Sequence, residues 1–526
     1  LGSPHASALT AVSPAPFADP PAWVSDAVFY QIFPDRFARS ERVAKPGPLE
    51  PWDDPPTFHG YKGGDLLGIA EHLDYIEALG VNALYLTPVF ASASNHRYHT
   101  YDYYNVDPLL GGNDALRELL DSAHARGIRI VLDGVFNHSG RGFWPFHHVV
   151  ENGMQSPYVD WFYLDVDTVR RRGLRPYPTR DDMLPIEAES GGRRDGAVSQ
   201  RELGYRAWWD LPALPKLNTD NPHMREHLLG AAEHWMRFGI DGWRLDVAEE
   251  IDAGFWREFR SRVRAINPDA YIVAEIWRER PEWLTGDTFD ALMNYPLVEA
   301  LLSFVAARQL DIDVVASQHE YREFVRPIDA RGFAARLEHL VTMYRPQNVS
   351  ALLNLLGSHD TARFLTVAGG DLASLKMAML VQMTLPGAPC IYYGDEIGME
   401  GRHDPDCRRA FRWEESRWNG GLLEFSRAAA ALRHDHAAVR HGTFRTLAVD
   451  GEAMAYGRFS DGDTVVVALN AGDTSTRLAL VPDEVRANEL RAVALPGQSS
   501  GSVVATESAI VIDVVARSAA VFVAEQ

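Results

Sequence analysis

Eight apolar runs of strand length recur between residues 28 and 396, most of them separated by segments of helical period. They are "VFYQIFP" (28–34), "ALYLTPV" (83–89), "RIVLDGV" (129–135), "GWRLDVA" (242–248), "YIVAEIW" (271–277), "FDALMNYP" (289–296), "ALLNLLG" (351–357) and "APCIYYGDE" (388–396). Helical patterns such as "DALRELLDSAHARG" (114–127) and "MREHLLGAAEHWMRFG" (224–239) fall between them. A β-then-α order repeated in this way builds a parallel sheet whose faces are covered by helices. Eight repeats predict an α/β fold, a closed (β/α)₈ TIM barrel. An open doubly wound sheet is the other arrangement this order allows.

Two parts of the chain break the rhythm. About a hundred residues separate the third run from the fourth, too many for a structureless loop in a compact domain. Residues 139–212, irregular and rich in Arg, Asp, Gly and Pro, are therefore expected to form a small inserted domain. After about residue 440 short alternating runs such as "DTVVVALNA" and "SAAVFVAEQ" predict an antiparallel β-sandwich. The barrel is expected over 23–138 and 213–435, and the sandwich over 436–526. Residues 1–22, rich in Ala, Pro and Ser, are expected to be disordered, with no intact signal peptide.

A net charge of −21 argues against nucleic acid and anionic membranes as partners. No apolar run reaches the ~18 residues of a membrane span. Two cysteines, Cys390 and Cys407, provide at most one bridge. Thirteen Trp and 19 Tyr suit a neutral, sugar-like substrate, although most aromatics serve a core.

The stretch "GIDGWRLDVAEEI" (239–251) poses the functional question. Side chains in a strand alternate, so Arg244 and Asp246 share one face of an apolar run. Asp246 followed by Glu249 fits a helix cap, which explains the acid and leaves the arginine unexplained. The other charged residues decide between the readings. Asp133, Asn137 and His138 end the third run, Glu275 the fifth, and Ser358, His359 and Asp360 the seventh, while His96, Tyr98 and Asp102 follow the second. In a (β/α)₈ barrel all of these lie on the C-terminal rim, where such folds build their chemistry. Asp133 also has an ordinary structural reading, and a single rim histidine is more often a loop residue than a catalytic one. Several acids with an arginine on one rim suit glycoside hydrolysis, in which one carboxylate attacks and another carboxyl protonates the leaving oxygen. Arg244 is expected to hold Asp246 anionic.

These residues stand in motifs that resemble the alpha-amylase family of retaining glycoside hydrolases. "DGVFNH" (133–138), "DGWRLDVA" (241–248), "EIW" (275–277) and "SHD" (358–360) occur in the family's order. The resemblance implies Asp246 as nucleophile, Glu275 as general acid/base and Asp360 as transition-state stabiliser. It places Tyr98, His138, Arg244 and His359 around the attacked sugar. Asp404 and Arg408 of "DPDCR" would hold a further sugar on the non-reducing side, with Glu250 near the aglycone and Trp277 among the substrate-binding residues. "LPKLN" (214–218) and "GDEIGM" (394–399) resemble the cyclomaltodextrinase, neopullulanase and maltogenic amylase subgroup. That subgroup usually has Asn where Glu249 stands and His where Arg278 stands. Its N-terminal dimerising domain has no counterpart in residues 1–22, so a monomer with an open cleft is expected.

The implied activity is cleavage of α-1,4 links in starch, maltooligosaccharides and cyclodextrins to short products such as maltose, with transglycosylation. An endo-acting alpha-amylase is the second reading. A non-catalytic barrel relative acting as a binding module is the third, weakened by the presence of all three carboxylates. No cofactor is implied. The loop that binds calcium in related enzymes reads "ARSERVAKPG" (38–47) here, and although Asp65 remains, no metal site is predicted.

Overall fold

The computed structural model describes residues 18–190, 196–487, 489–498, 501–506 and 509–524. Each of the eight runs contains a strand: β1 (Phe29–Ile32), β2 (Ala83–Leu86), β3 (Arg129–Gly134), β4 (Gly242–Leu245), β5 (Tyr271–Ala274), β6 (Ala291–Leu292), β7 (Leu353–Leu355) and β8 (Ala388–Tyr392). They form one parallel sheet in the order β6-β5-β4-β3-β2-β1-β8-β7. A bridge between Met293 and Leu353 brings its two edges together as a barrel. Every residue of β1, β2, β4 and β5 is buried, because helices cover the outside and side chains fill the inside. That two-sided burial made the runs continuously apolar. The strands are shorter than the runs, since the chain leaves the sheet early to present the rim residues.

The helices follow from their end signals. The helix Pro222–Phe238 opens with Asn221, whose side chain accepts from the N–H groups of His223 and Met224, and with Pro222 at the first position. It closes at Gly239, in the left-handed region at φ 111°. The cap suggested for Asp246 is not formed. The helix that follows β4, Ala253–Ile266, is capped by Asp252 instead, which frees Asp246 for the rim.

The segment 139–212 holds the short helices Trp144–Asn152, Val166–Arg172, Arg180–Ser190 and Ala197–Leu203. Phe146 packs on Phe162 and Tyr205 at centroid distances of 5.0 and 4.9 Å, a small aromatic core of its own. The pairings His138–Lys216 and Phe162–Leu217 tie it to the rim. Of the N-terminal segment, residues 1–17 lie outside the described residues. Ala18 accepts from Arg260 through its carbonyl, and Asp19 pairs with Arg345 at 2.9 Å.

Beyond the barrel lie β9 (Thr443–Asp450), β10 (Ala453–Ser460), β11 (Asp463–Asn470), β12 (Thr476–Leu480), β13 (Leu490–Val493), β14 (Ser502–Ala505), β15 (Ile510–Val514) and β16 (Ser518–Ala524). They form antiparallel sheets in the orders β9-β10-β11-β16-β13 and β12-β15-β14. Period two divides the first sheet between two cores. Met454, Tyr456, Val465, Val467 and Leu469 join the barrel core, while Ala453, Ala455, Val466 and Ala468 face Leu478, Ile510 and Ile512 of the second sheet. Cys390 and Cys407 are free, buried thiols. Among the described residues no helix is long and apolar enough to cross a membrane.

Candidate active site

The ends of β3, β4 and β5 lie side by side, with Asp133 opposite Arg244 and Arg244 opposite Val273. Gly242 is required at the start of β4, because a Cβ there would meet the backbone of Tyr271. Arg244 is fully buried. Its Nη1 donates to both oxygens of Asp133 at 2.9 Å and to Asp246 at 3.0 Å. Its Nη2 lies 3.0 Å from Oε2 of Glu275. One guanidinium therefore joins acids from three adjacent strands, and the charge within β4 is compensated on several sides. Leaving such a buried charge without partners would be costly.

Val247 follows Asp246 in the left-handed region at φ 39°, a strained conformation for a β-branched residue costing about 1–3 kcal/mol. The turn lets the Val247 N–H donate to Glu275 Oε2 at 3.0 Å. Trp277 Nε1–H donates to Glu275 Oε1 at 3.0 Å, and its ring stacks on Tyr295 at 3.6 Å. Glu275 is thus aimed from both oxygens.

The electrostatics of Asp246 pull in two directions. Asp246 is pushed well above the ordinary carboxylate range by burial first and by Glu275 second, against the pull of Arg244. Arg244, shared with Asp133 and Glu275, is the cation that favours the anionic form of Asp246. Burial lifts Asp133 as well, to about 6, again against Arg244 and the tyrosine hydroxyls. Acids that share one cation titrate as a group rather than one by one. A retaining carboxyl pair works with one member protonated and one ionised.

The remaining predicted residues converge on the cluster. Tyr98 donates to Asp133 at 2.8 Å and lies 2.6 Å from His359 Nε2, the two rings parallel within 3°. Gln31 Nε2 meets His359 Nδ1 at 2.9 Å, so that Nδ1 accepts and Nε2 carries the hydrogen. Burial and the nearby Arg408 keep His359 neutral by lowering its pKa. Asp360 sits 3.3 Å from His359 Nε2 and 3.2 Å from Arg408 Nη2, and is more exposed than the other two acids. Arg408 also pairs with Asp404 at 2.9 Å. Beside them a cavity of about 300 Å³ continues the cleft past Asn95, His96 and His99. His138 is buried and neutral, with its pKa lowered to about 3. Its Nε2 has no partner among the described residues, an open position for a sugar hydroxyl.

On the other side of the cluster Glu250 pairs with Lys216 at 3.3 Å, and Lys216 Nζ also donates to Asn137. The lysine of "LPKLN" thus links the loops after β3 and β4. At the positions that depart from the subgroup, Glu249 pairs with Arg280 at 3.5 Å, and Arg278 pairs with Glu299 at 2.5 Å while lying over Phe324. Asp102 stays outside the cluster, accepting from the Tyr104 N–H and Asn105 Nδ2. Asp65 is occupied too. It accepts from Lys45 Nζ at 3.0 Å, and that ammonium also donates to the Leu109 carbonyl at 2.6 Å.

Three contributors escaped the sequence reading. Gln31 and Tyr85, the latter donating to Asp133 at 2.7 Å, are polar residues inside apolar runs, the signal that singled out Arg244. Gln318 accepts from the Ala362 N–H at 3.0 Å and reaches the Asp360 carbonyl at 3.4 Å, bracing the "SHD" turn. Its own surroundings in the sequence carry no such signal.

A (β/α)₈ barrel with three acids gathered around a rim arginine and a neutral histidine pair defines a glycoside hydrolase. Comparison with known proteins specifies the family. The alpha-amylase catalytic domain model matches residues 31–443. A cyclomaltodextrinase of Bacillus sp is 44% identical over 87% of this chain and 75% of its own length. Neopullulanase 2 of Thermoactinomyces vulgaris is 43% identical over 88% of this chain and 72% of its own. The structure of the Nostoc punctiforme debranching enzyme superposes with a TM-score of 0.83 at 42% identity, covering 96% of this chain and 99% of that one. The chain belongs to the alpha-amylase family.

Proposed function

We propose that this protein is a retaining α-glucan hydrolase. Asp246 attacks the anomeric carbon while Glu275 gives its proton to the departing glycosidic oxygen, forming a glycosyl-enzyme on Asp246. Glu275 then takes a proton from water or from an acceptor sugar, whose oxygen displaces Asp246 and restores the α-configuration. Asp360, held by Arg408 and His359, stabilises the charge on the sugar ring. Tyr98, His138 and His359 seat that sugar, Asp404 and Arg408 the next one on the non-reducing side, and Glu250 and Trp277 the acceptor side. The observation that carries this reading is the Arg244 clamp, which brings Asp246 and Glu275 to one guanidinium at 3.0 Å each. A monomer is proposed as the catalytic unit.

The substrates proposed are starch, maltooligosaccharides and cyclodextrins, cleaved at α-1,4 links to short products such as maltose, with transglycosylation. The names of the cyclomaltodextrinase and neopullulanase relatives support this. Likeness over both full lengths to the Nostoc debranching enzyme favours α-1,6 cleavage as the second reading. Products from maltotriose, β-cyclodextrin, pullulan and starch, compared in parallel, test the choice. Maltose and glucose from the first two substrates are expected. Attack confined to branched substrates would overturn the α-1,4 assignment.

No added metal is needed in this proposal, because carboxyl groups perform each step and the Lys45 ammonium already neutralises Asp65. The same substrates should be turned over at unchanged rate after chelator treatment. A loss restored by calcium alone would contradict it.

A further inference from the structure

Gln31 is a polar side chain in the middle of β1, buried in the barrel. It stands level with Tyr85 of β2 and Tyr392 of β8. Burying an amide is costly unless its polar atoms are paired, so its partner is informative. That partner is the ring of His359, whose Nδ1 lies 2.9 Å from Nε2 of Gln31. The other side of the ring fixes the direction of this bond independently. Nε2 of His359 has two oxygen neighbours, Tyr98 Oη at 2.6 Å and Asp360 Oδ2 at 3.3 Å. The single hydroxyl hydrogen of Tyr98 goes to Asp133 at 2.8 Å, and an ionised carboxylate only accepts. Both neighbours therefore present lone pairs, and the ring hydrogen belongs on Nε2. Nδ1 is left bare and needs a donor, which an amide supplies and an ionised carboxylate does not.

A directed chain of hydrogen bonds results, from Gln31 to His359 to Tyr98 to Asp133. It ends on the acid that Arg244 and Tyr85 hold at 2.9 and 2.7 Å. Barrel strands supply both ends, β1 and β3, while rim loops carry the two rings between them. With the hydrogen on Nδ1 instead, Nε2 would face the lone pairs of Tyr98 and Asp360, and the attacked sugar would lose a donor. Resting on the retaining α-glucan reading above, we propose that Gln31 is a positioning residue for the reaction. By donating to Nδ1 it keeps the Nε2–H of His359 turned toward Tyr98 and the attacked sugar.

Gln31→Glu separates this role from the filling of space, because the two side chains are nearly isosteric. An ionised carboxylate at this position takes the ring hydrogen onto Nδ1 and strips Nε2, since the group facing one ring nitrogen sets the tautomer. One further proton on the carboxylate–imidazole pair restores Nε2–H. Turnover of maltotriose by Gln31→Glu, relative to the unaltered enzyme, should therefore fall by about 10–100-fold at the alkaline end of the working range, the scale on which partners that orient metal-bound histidines act. Most of that loss should be recovered at the acid end. Asp360, Tyr98, His96, Arg244, Glu275 and Arg408 also face this ring. They are common to all the enzymes compared, and Gln31→Leu, which adds no charge, should lose activity by a similar factor at every pH. A pH-independent ratio for Gln31→Glu, or unchanged activity in both variants, would overturn the proposal. Neutron diffraction from crystals of the deuterated resting enzyme reads the hydrogen directly, whether or not the variants fold. Deuterium on Nε2 alone is expected, and deuterium on Nδ1 would overturn the proposal. A β-anomer as first product of the unaltered enzyme, with deuterium on Nε2, would instead overturn the retaining reading on which it rests.

Discussion

Asp246→Ala is expected to lower kcat on maltotriose by about 10⁴-fold or more, the scale seen when a member of a catalytic unit is removed. Fold should persist. Arg244 keeps Asp133, at 2.9 Å, and Glu275, at 3.0 Å, as partners, so no buried charge is abandoned. Azide, small and anionic, should enter the vacated space and restore turnover by attacking the same carbon, leaving a β-glycosyl azide. Circular dichroism and product chromatography check the two halves. Near-normal activity in a folded variant would remove Asp246 from the role of nucleophile.

Glu275→Gln should produce a different failure. Without the proton, cleavage of maltotriose slows by about 10³-fold, within the range that general acid catalysis contributes. Fluoride departs without protonation, so maltosyl fluoride should still form the glycosyl-enzyme. Its breakdown then lacks a base. The expected record is a burst of one fluoride per enzyme followed by a slow steady state. The amide is nearly isosteric but can accept at only one of the two oxygens that now receive Val247 N–H and Trp277 Nε1–H. A uniform loss on both substrates without a burst would show that Glu275 only positions its neighbours.

The contrast between these variants also explains what the sequence could reveal. The barrel was legible because strands buried on both faces are written as unbroken apolar runs, and because Asn221, Pro222 and Gly239 mark the ends of their helix. The catalytic cluster was legible for the opposite reason. Arg244, Asp246 and Glu275 are charges inside such runs, which physics tolerates only when they are paired. How Arg244 divides its charge was not legible, since it depends on distances to Asp133 and Glu275 from other strands. Nor was the left-handed turn at Val247, for a valine does not advertise positive φ. The helices within 139–212 are short and Arg-, Asp- and Pro-rich, and their core is assembled from Phe146, Phe162 and Tyr205 across the segment. Gln318 reaches its target 44 residues away, a contact no local pattern encodes.

Two displacements at the same carbon are the centre of this account, and the configuration of the first product reports them most directly. Proton NMR of maltotriose hydrolysis, recorded before mutarotation, should show the α-anomer appearing first, since attack by Asp246 and then by water inverts the carbon twice. The β-anomer as first product would mean a single displacement by water between Glu275 and its partner acid, and would contradict the glycosyl-enzyme.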